Sequence, residues 1–307
     1  MNSSTVVVIG ATSGVGLATA QQLSDAGHHV LAIGRDPGRA HSLRHTLTRT
    51  GDSSAIDIST QSGWNAAADW ISNRTDRVDT LVNAAGVMFP TRQTTPDGIE
   101  LNFAIHHLAP FALTSRLLPL IRRGSIPDGP EGRSLPRVVN INSVGHRMSM
   151  AGHIDPVLDF DDLQAARHYD PFLAYSQSKL ANLLFTYELA RHHGHELAVV
   201  ALHPGVVRSD LGRHFPKLQV AAAQAFAISP RRAARSVVQL GTGPLPENGR
   251  YYERDTQAQS SSPSHDRVAA ARLWTLTETM CGQFDRTPDF ATGSKSSDDN
   301  ASIKSEP

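Results

Sequence analysis

The strongest constraint on this chain is the passage from Val6 to Gly27. Val6 to Ile9 is an unbroken β-branched run, and a glycine-rich turn, Gly10-Ala11-Thr12-Ser13-Gly14-Val15-Gly16, follows it with no spacer. The turn leads into LATAQQLSDAG, whose apolar residues repeat at a helical period and whose final Gly27 suits a C-terminal cap. A short run that is apolar at every position reads as a strand buried on both faces, as strands of parallel sheets are. The order strand, turn, helix gives the glycines their meaning. Backbone N–H groups bared by the turn, with the start of the helix behind them, attract a pyrophosphate. Read without that order, the same glycines would be simple turn formers.

The pattern recurs. His29 to Ile33 is a second strand and ends at Gly34-Arg35-Asp36, about where a dinucleotide fold chooses between NAD and NADP. An acidic residue at the strand end would bind the ribose 2′-hydroxyl; Gly34 stands there instead, and the guanidinium of Arg35 suits a 2′-phosphate. The other reading of Arg35 is a solvated partner for Asp36. Asp57, after a further short apolar stretch, either contacts an adenine edge or caps a turn. Thr80-Leu81-Val82-Asn83-Ala84-Ala85-Gly86 is a buried strand that turns polar and then glycine-rich at its C-terminal end, the end that faces the ligand crevice. Val138 to Ile141, following a loop from Arg122 to Pro136, delivers Asn142 and Ser143 to the same crevice. Val199 to Leu202 and Gly249 to Glu253 are the last strands. This alternation predicts an α/β fold: a single Rossmann-type, doubly wound parallel sheet with helices on both faces.

Phe172 to Leu189, FLAYSQSKLANLLFTYEL, reads as a helix carrying Tyr175 and Lys179 four residues apart, hence on one face. A tyrosine ionises near 10, and a neighbouring cation is expected to lower that value and make the phenol a proton donor or acceptor near neutrality.

The 307 residues, 39% of them hydrophobic, are enough for a substantial core. Basic and acidic residues balance at 29 each, so no global field points to nucleic acid or an anionic membrane. Cys281 is the only cysteine, which excludes an intramolecular disulfide and fits a reducing compartment. With no apolar run long enough to span a bilayer and no secretory leader pattern, a cytoplasmic protein is expected. Residues 1–254 form the expected catalytic domain, 255–284 a Ser-rich connector and a helix packed on it, and 285–307 a disordered tail. His192, His193 and His195 suit the C-terminal end of a helix better than a metal, and no metal site is expected.

Three motifs in one order, Gly10-x-x-x-Gly14-x-Gly16, Asn83-Ala84-Ala85-Gly86 and Tyr175-x-x-x-Lys179, resemble the short-chain dehydrogenases/reductases. The resemblance runs from about Val6 to Phe284 and implies an NADP(H)-dependent oxidoreductase that interconverts a carbonyl and an alcohol on a small substrate, and the apolar content of residues 144–171 and 208–228 points to a lipophilic one. It assigns proton transfer to Tyr175, phenol activation and a grip on the nicotinamide ribose to Lys179, and orientation of the substrate oxygen to Ser143. Gly10, Thr12, Ser13, Gly14, Val15, Gly16, Arg35, Asp57, Asn83, Ala84 and Gly86 would hold the cofactor with Tyr175 and Lys179. The stretch His203-Pro204-Gly205-Val206-Val207-Arg208-Ser209 resembles the family's loop against the nicotinamide, which adds Pro204, Gly205, Val207 and Ser209.

Gly98 to Thr114 resembles a helix of the retinol-dehydrogenase-like branch, where an asparagine precedes His107-Leu108; here His106 takes that place. The usual asparagine holds a water between the catalytic lysine and solvent. Imidazole is bulkier and can change charge near neutral pH, so His106 either enters the proton path or is a tolerated variant. Asn102 lies about 6 Å along the helix, too far to substitute. The long stretch between Ser143 and Tyr175, with His146, Met148, Met150, Ile154, Phe160 and Leu163, would cover the pocket, lining it or anchoring the loop. Residues 213–228 would form a flap. The resemblance also implies pairing into a homodimer or homotetramer. A non-catalytic NADP(H)-binding sensor or scaffold, and a redox-neutral epimerase or dehydratase, are the competing functions.

Overall fold

The computed structural model describes residues 3–47, 51–128, 132–147, 156–224 and 227–282. β1 (Thr5–Ile9) is buried along its whole length. The chain continues through α1 (Gly14–Asp25), β2 (His29–Gly34), α2 (Pro37–Thr46), β3 (Asp52–Ala55), α3 (Gln61–Ser72) and β4 (Thr80–Asn83). α4 (Leu101–Phe103) runs through a π turn, Ala104–Leu108, into α5 (Ala109–Ile121). A hairpin of β5 (Ile126–Asp128) and β6 (Gly132–Ser134) precedes β7 (Arg137–Ile141), α6 (Pro171–His193) and β8 (Ala198–His203). α7 (Lys217–Gln224), α8 (Pro230–Thr242), β9 (Arg250–Glu253), β10 (Thr256–Ala258) and α9 (Arg267–Cys281) complete it.

Eight strands form one sheet in the order β10-β9-β8-β7-β4-β1-β2-β3, parallel except for β10. The doubly wound α/β sheet read from the sequence is therefore present. Its strands alternate side chains between two helical layers, as a strand covered on both faces must. Val6 and Val8 join Leu23, Leu43 and Val237 beneath α1, α2 and α8. Val7 and Ile9 join Trp64, Phe111, Phe185 and Trp274 beneath α3, α5, α6 and α9. The winding reverses between β1 and β4, which opens the crevice beyond their C-terminal ends.

Three segments differ from the sequence expectation. β3 is the polar run Asp-Ser-Ser-Ala at the edge of the sheet, a strand not singled out in the sequence, and it lies ahead of the short apolar stretch before Asp57. The loop of residues 122–136 contains the β5–β6 hairpin. The connector begins with β10, which turns back antiparallel on β9. Residues 285–307, expected to form a disordered tail, lie outside the described residues.

α9 closes the second layer. The Phe111 ring lies 5.6 Å from that of Phe185 and 5.0 Å from that of Trp274, and Phe111 is fully buried. His107 Nε2 meets Thr277 Oγ1 at 2.7 Å; that hydroxyl donates to the Leu273 carbonyl and so accepts from the imidazole. Phe111→Ala should lower the unfolding free energy by about 3–5 kcal/mol in urea, the cost of an aromatic-sized core cavity. A loss under ~1 kcal/mol would mean that α9 does not pack against this ring.

Candidate active site

Two backbones come together to make the crevice. Gly10 has φ +85°, and a Cβ on it would lie 2.5 Å from the backbone of Ala85, while one on Gly16 would lie 2.2 Å from the Gly10 carbonyl. Only glycine allows the turn after β1 to fold onto the end of β4 and onto itself. A cavity of about 1050 Å³ opens there. Gly10, Thr12, Ser13, Gly14, Val15, Arg35, Asp57, Ala84 and Gly86 line one side of it, and Pro204, Gly205, Val207 and Ser209 line another. Ser143, Tyr175 and Lys179 line the same cavity.

Two expected cofactor residues do not reach it. Asn83 is buried and donates from Nδ2 to Asn140 Oδ1 at 2.8 Å, so its carboxamide ties β4 to β7. Gly16 closes the turn from behind and lies outside the lining.

The nucleotide end carries a steric reason for its composition. A Cβ on Gly34 would lie 2.2 Å from the Thr12 side chain, so the turn itself occupies the space an acidic residue would need. Asp36 accepts from the Arg39 amide at 2.8 Å as the N-cap of α2, which commits its carboxylate to the helix rather than to Arg35. Asp57 caps a turn, accepting from the Ser59 amide at 3.0 Å, and also faces the cavity. The turn, the free space above Gly10 and the cationic edge fit a phosphate-bearing dinucleotide.

At the other end, Asp170 caps α6 by accepting from the amides of Phe172 and Leu173 at 2.9 and 2.7 Å. That capped first turn presents Tyr175 and Lys179 to the cavity, both at most 5% exposed. The expected lowering of the phenol is not what the structure gives. Burial pushes Tyr175 up, with the Ser143 hydroxyl pulling it back. It is the lysine that moves: burial lowers Lys179 to about 7. Its ammonium donates to the Ile141 carbonyl at 3.0 Å and sits 5.8 Å from the centre of the Tyr175 ring.

His106 lies behind the tyrosine, its ring 5.3 Å away and nearly perpendicular to the phenol, at 87°. Its Nε2 accepts from the Val87 amide at 3.1 Å. Its Nδ1 is 2.8 Å from Ser178 Oγ, whose proton goes to the Tyr175 carbonyl at 2.6 Å. Since an amide can only donate and a carbonyl only accept, the imidazole is the neutral Nδ1–H tautomer. Burial first, and the nearby Lys179 second, hold its pKa well below the usual 6.5. Of the two readings of His106, the geometry favours a neutral residue outside the proton path, with both ring nitrogens occupied. Asn102 is turned to Glu100 and Tyr169 at 2.8 and 3.3 Å.

Sequence reasoning missed what holds this arrangement. Pro110 has no N–H to offer the His106 carbonyl four residues earlier. Asn182 Nδ2 donates to that carbonyl at 2.8 Å, while Asn182 Oδ1 accepts from Asn142 Nδ2 at 2.8 Å. Asn142 also donates to the Lys179 carbonyl at 3.0 Å and accepts from the Ser143 amide at 2.7 Å. Ser178 and Asn182 stand three and seven residues after Tyr175, on its helical face, a spacing that pointed to them. Arg39, Ile105, Phe172 and His203 also line the cavity unannounced.

The segment before α6 divides. His146 is buried beneath Ser143, its Nδ1 2.5 Å from the Ser143 carbonyl and its ring 4.8 Å from Tyr251, so it does not cover the pocket. Phe160 and Leu163 anchor against the main core. Met148, Met150 and Ile154 lie outside the described residues. In the expected flap, Phe215, Gln219 and Val220 line the cavity, and Phe226 is outside the described residues. His192 and His193 are engaged by Glu188 and Glu196 at 2.9 and 2.6 Å, and burial lowers His193, so that helix end is not simply cationic. Among the described residues, no cluster of three or more His, Cys, Asp or Glu could hold a metal ion, and no helix is long and apolar enough to cross a membrane.

Residues 4–154 match the family model for short chain dehydrogenases. Mouse retinol dehydrogenase 13 is 34% identical over 296 residues, covering 91% of this chain and 84% of its own. The chain belongs to the short-chain dehydrogenase/reductase family, on its retinol-dehydrogenase-like branch. A Streptomyces member, provisionally named a daunorubicin C-13 ketoreductase, is 31% identical over 92% of this chain and 94% of its own. Among solved structures, an uncharacterized protein of Mycobacterium paratuberculosis superposes with a TM-score of 0.71 at 29% identity, covering 92% of this chain and 95% of that one. His106 ties the loop after β4 to α6 through both ring nitrogens.

The lysine has a measurable signature. Folding lowers Lys179 from 10.5 to about 7. Between those pH values the unfolded chain holds a proton there that the folded chain does not, so stability falls as pH drops through this window and levels off below it. Lys179→Met should raise the thermal midpoint by a few degrees at pH 6, with the gain shrinking toward pH 10. An equal gain at both pH values would place the amine in water.

Proposed function

We propose that this protein is an NADP(H)-dependent oxidoreductase that interconverts a carbonyl and an alcohol on a small lipophilic substrate. The observation that carries the reading is the meeting of Ser143, Tyr175 and Lys179 with Arg35 and the glycine turn in one cavity. The names of its relatives, retinol dehydrogenases and a ketoreductase, support it. When bound, the nicotinamide supplies or takes up the hydride.

The chain's own residues do the rest. Ser143 holds the substrate oxygen by a hydrogen bond, and the Tyr175 hydroxyl gives its proton to that oxygen in reduction and takes one in oxidation. Lys179, lowered to about 7 by burial and 5.8 Å from the ring centre, stands beside the phenol as its proton leaves and, in its protonated form, favours the phenolate. His106 acts through Ser178 and Val87, fixing the first turn of α6 and the loop after β4, and holds no mobile charge. Met88, Leu101, Ile105, Phe172, Leu211 and Phe215 give the cavity its apolar wall, which suits a lipophilic carbonyl compound. The reading includes a cytoplasmic location and a homodimeric or homotetrameric assembly.

With a panel of lipophilic aldehydes and ketones, loss of the NADPH absorbance should be seen with the wild type. Tyr175→Phe should lose roughly 10²–10⁴-fold in rate, far more than it loses in affinity for NADPH. Full turnover by that variant would remove Tyr175 from the chemistry. His106→Asn should leave the pH–rate profile between pH 6 and 7 unchanged in shape, because the imidazole is neutral throughout. Disappearance of an inflection there in the variant would show that His106 titrates.

A further inference from the structure

Ser143 is held from both sides by its own chain neighbours. Its amide donates to Asn142 Oδ1 at 2.7 Å, and its carbonyl accepts from His146 Nδ1 at 2.5 Å. A short turn, Val144–His146, joins the two residues, and within it the Gly145 amide donates to Ser143 Oγ at 3.1 Å. With that bond made, the hydroxyl keeps its own proton for an acceptor in the cavity. The turn also lies against the phenol, since a Cβ on Gly145 would be 3.3 Å from Cε1 of Tyr175. Its backbone closure is long: the His146 amide reaches the Ser143 carbonyl only at 3.3 Å. The short bond that closes the turn comes from the imidazole.

That ring has no other polar contact. His146 is fully buried, edge-on to Tyr251 with ring centres 4.8 Å apart at 73°, and its Nε2 has no hydrogen-bond partner among the described residues. A carbonyl only accepts, so Nδ1 carries the proton. Burial lowers the pKa to about 4, with the Ser143 carbonyl and Glu253 opposing and Arg147 and His203 assisting, so the ring is neutral at neutral pH and holds that single proton. Arg147 and Glu253 are paired with each other at 2.8 Å. A buried acceptor left without a partner is costly, which singles out the bond at the other nitrogen as the reason for an imidazole here. Ser143, Val144 and Gly145 line the cavity and His146 does not. We propose that His146 is a positioning residue: its Nδ1–H clamps the Ser143 carbonyl and thereby aims the Ser143 hydroxyl at the substrate oxygen beside Tyr175. The inference rests on the oxidoreductase reading given above. His146 acts through Ser143 and touches neither substrate nor cofactor.

The test follows NADPH oxidation with the carbonyl panel, NADPH binding by fluorescence, and the His146 tautomer by NMR of nitrogen-labelled histidine. His146→Leu should lower kcat about tenfold and change NADPH affinity less than about twofold. His146→Asn, whose Nδ2 can take the place of Nδ1, should recover to within about threefold of the wild type, and His146→Gln, with its amide one carbon farther out, should not. Once Ser143 is already alanine, His146→Leu should cost less than about twofold more. Tyr251→Phe should turn over within about twofold of the wild type. The signal missing from His146→Asn should show its proton on Nδ1. If thermal melting shows the leucine variant unfolded, the contrast between asparagine and glutamine decides. A proton on Nε2, or an undiminished cost of His146→Leu without the Ser143 hydroxyl, overturns the clamp. Loss of NADPH affinity equal to the loss of rate would mean general damage to the site and overturn it too. A loss in Tyr251→Phe as large as in His146→Leu would make the ring a link in a proton chain instead. Full activity in His146→Leu removes only the positioning role, whereas a wild type that oxidises no NADPH with any member of the panel fails the oxidoreductase reading and takes this role with it.

Discussion

The close approach of Gly10 to Ala85 is the contact on which the site depends. A side chain at residue 10 would strike the backbone of Ala85 at 2.5 Å, so two strand ends meet with nothing between them. Their convergence places the glycine turn, the loop after β4 and the start of α1 around one space. It also brings Val87 within reach of His106, and through it couples the nucleotide side of the crevice to the helix of the tyrosine. A looser joint at Gly10 would separate these parts even with every catalytic side chain intact.

Around that joint, charge is placed by burial more than by pairing. Tyr175, Lys179 and His106 are all deeply buried, and each is driven toward its neutral form: the phenol upward, the ammonium and the imidazole downward. Desolvation penalises every charge in such a place, and one cation next to another is penalised twice. The neutral histidine follows first from burial and second from the nearby lysine. A rail of amides, Asn142 and Asn182 with the carbonyls of Lys179 and His106, satisfies the backbone where the π turn and Pro110 leave it open.

Much of this was legible in the sequence because it is local. The run Val6–Ile9, the glycines after it and the Tyr175–Lys179 spacing each declare themselves within a few residues, and the order of the motifs gives the sheet. What was not legible depends on distant partners. Asn83 looks like a crevice residue until Asn140, on a strand 57 positions later, takes its amide. Asp36 looks like a partner for Arg35 until helix capping claims it. The direction of the tyrosine's shift needed the depth of burial, which spacing does not carry. The β5–β6 hairpin and β10 were hidden because short edge strands have no apolar signature.

The aromatic joint between α5, α6 and α9 bears on how the protein is made. His107 meets Thr277 across 170 residues, and the Phe111 and Phe185 rings close on Trp274. These are the helices next to the π turn and beneath Tyr175. On the ribosome, the helices that carry the tyrosine and its histidine emerge long before the segment that completes their packing. The site therefore matures only after nearly the whole domain has been synthesised, and until then this apolar face is open to chaperones.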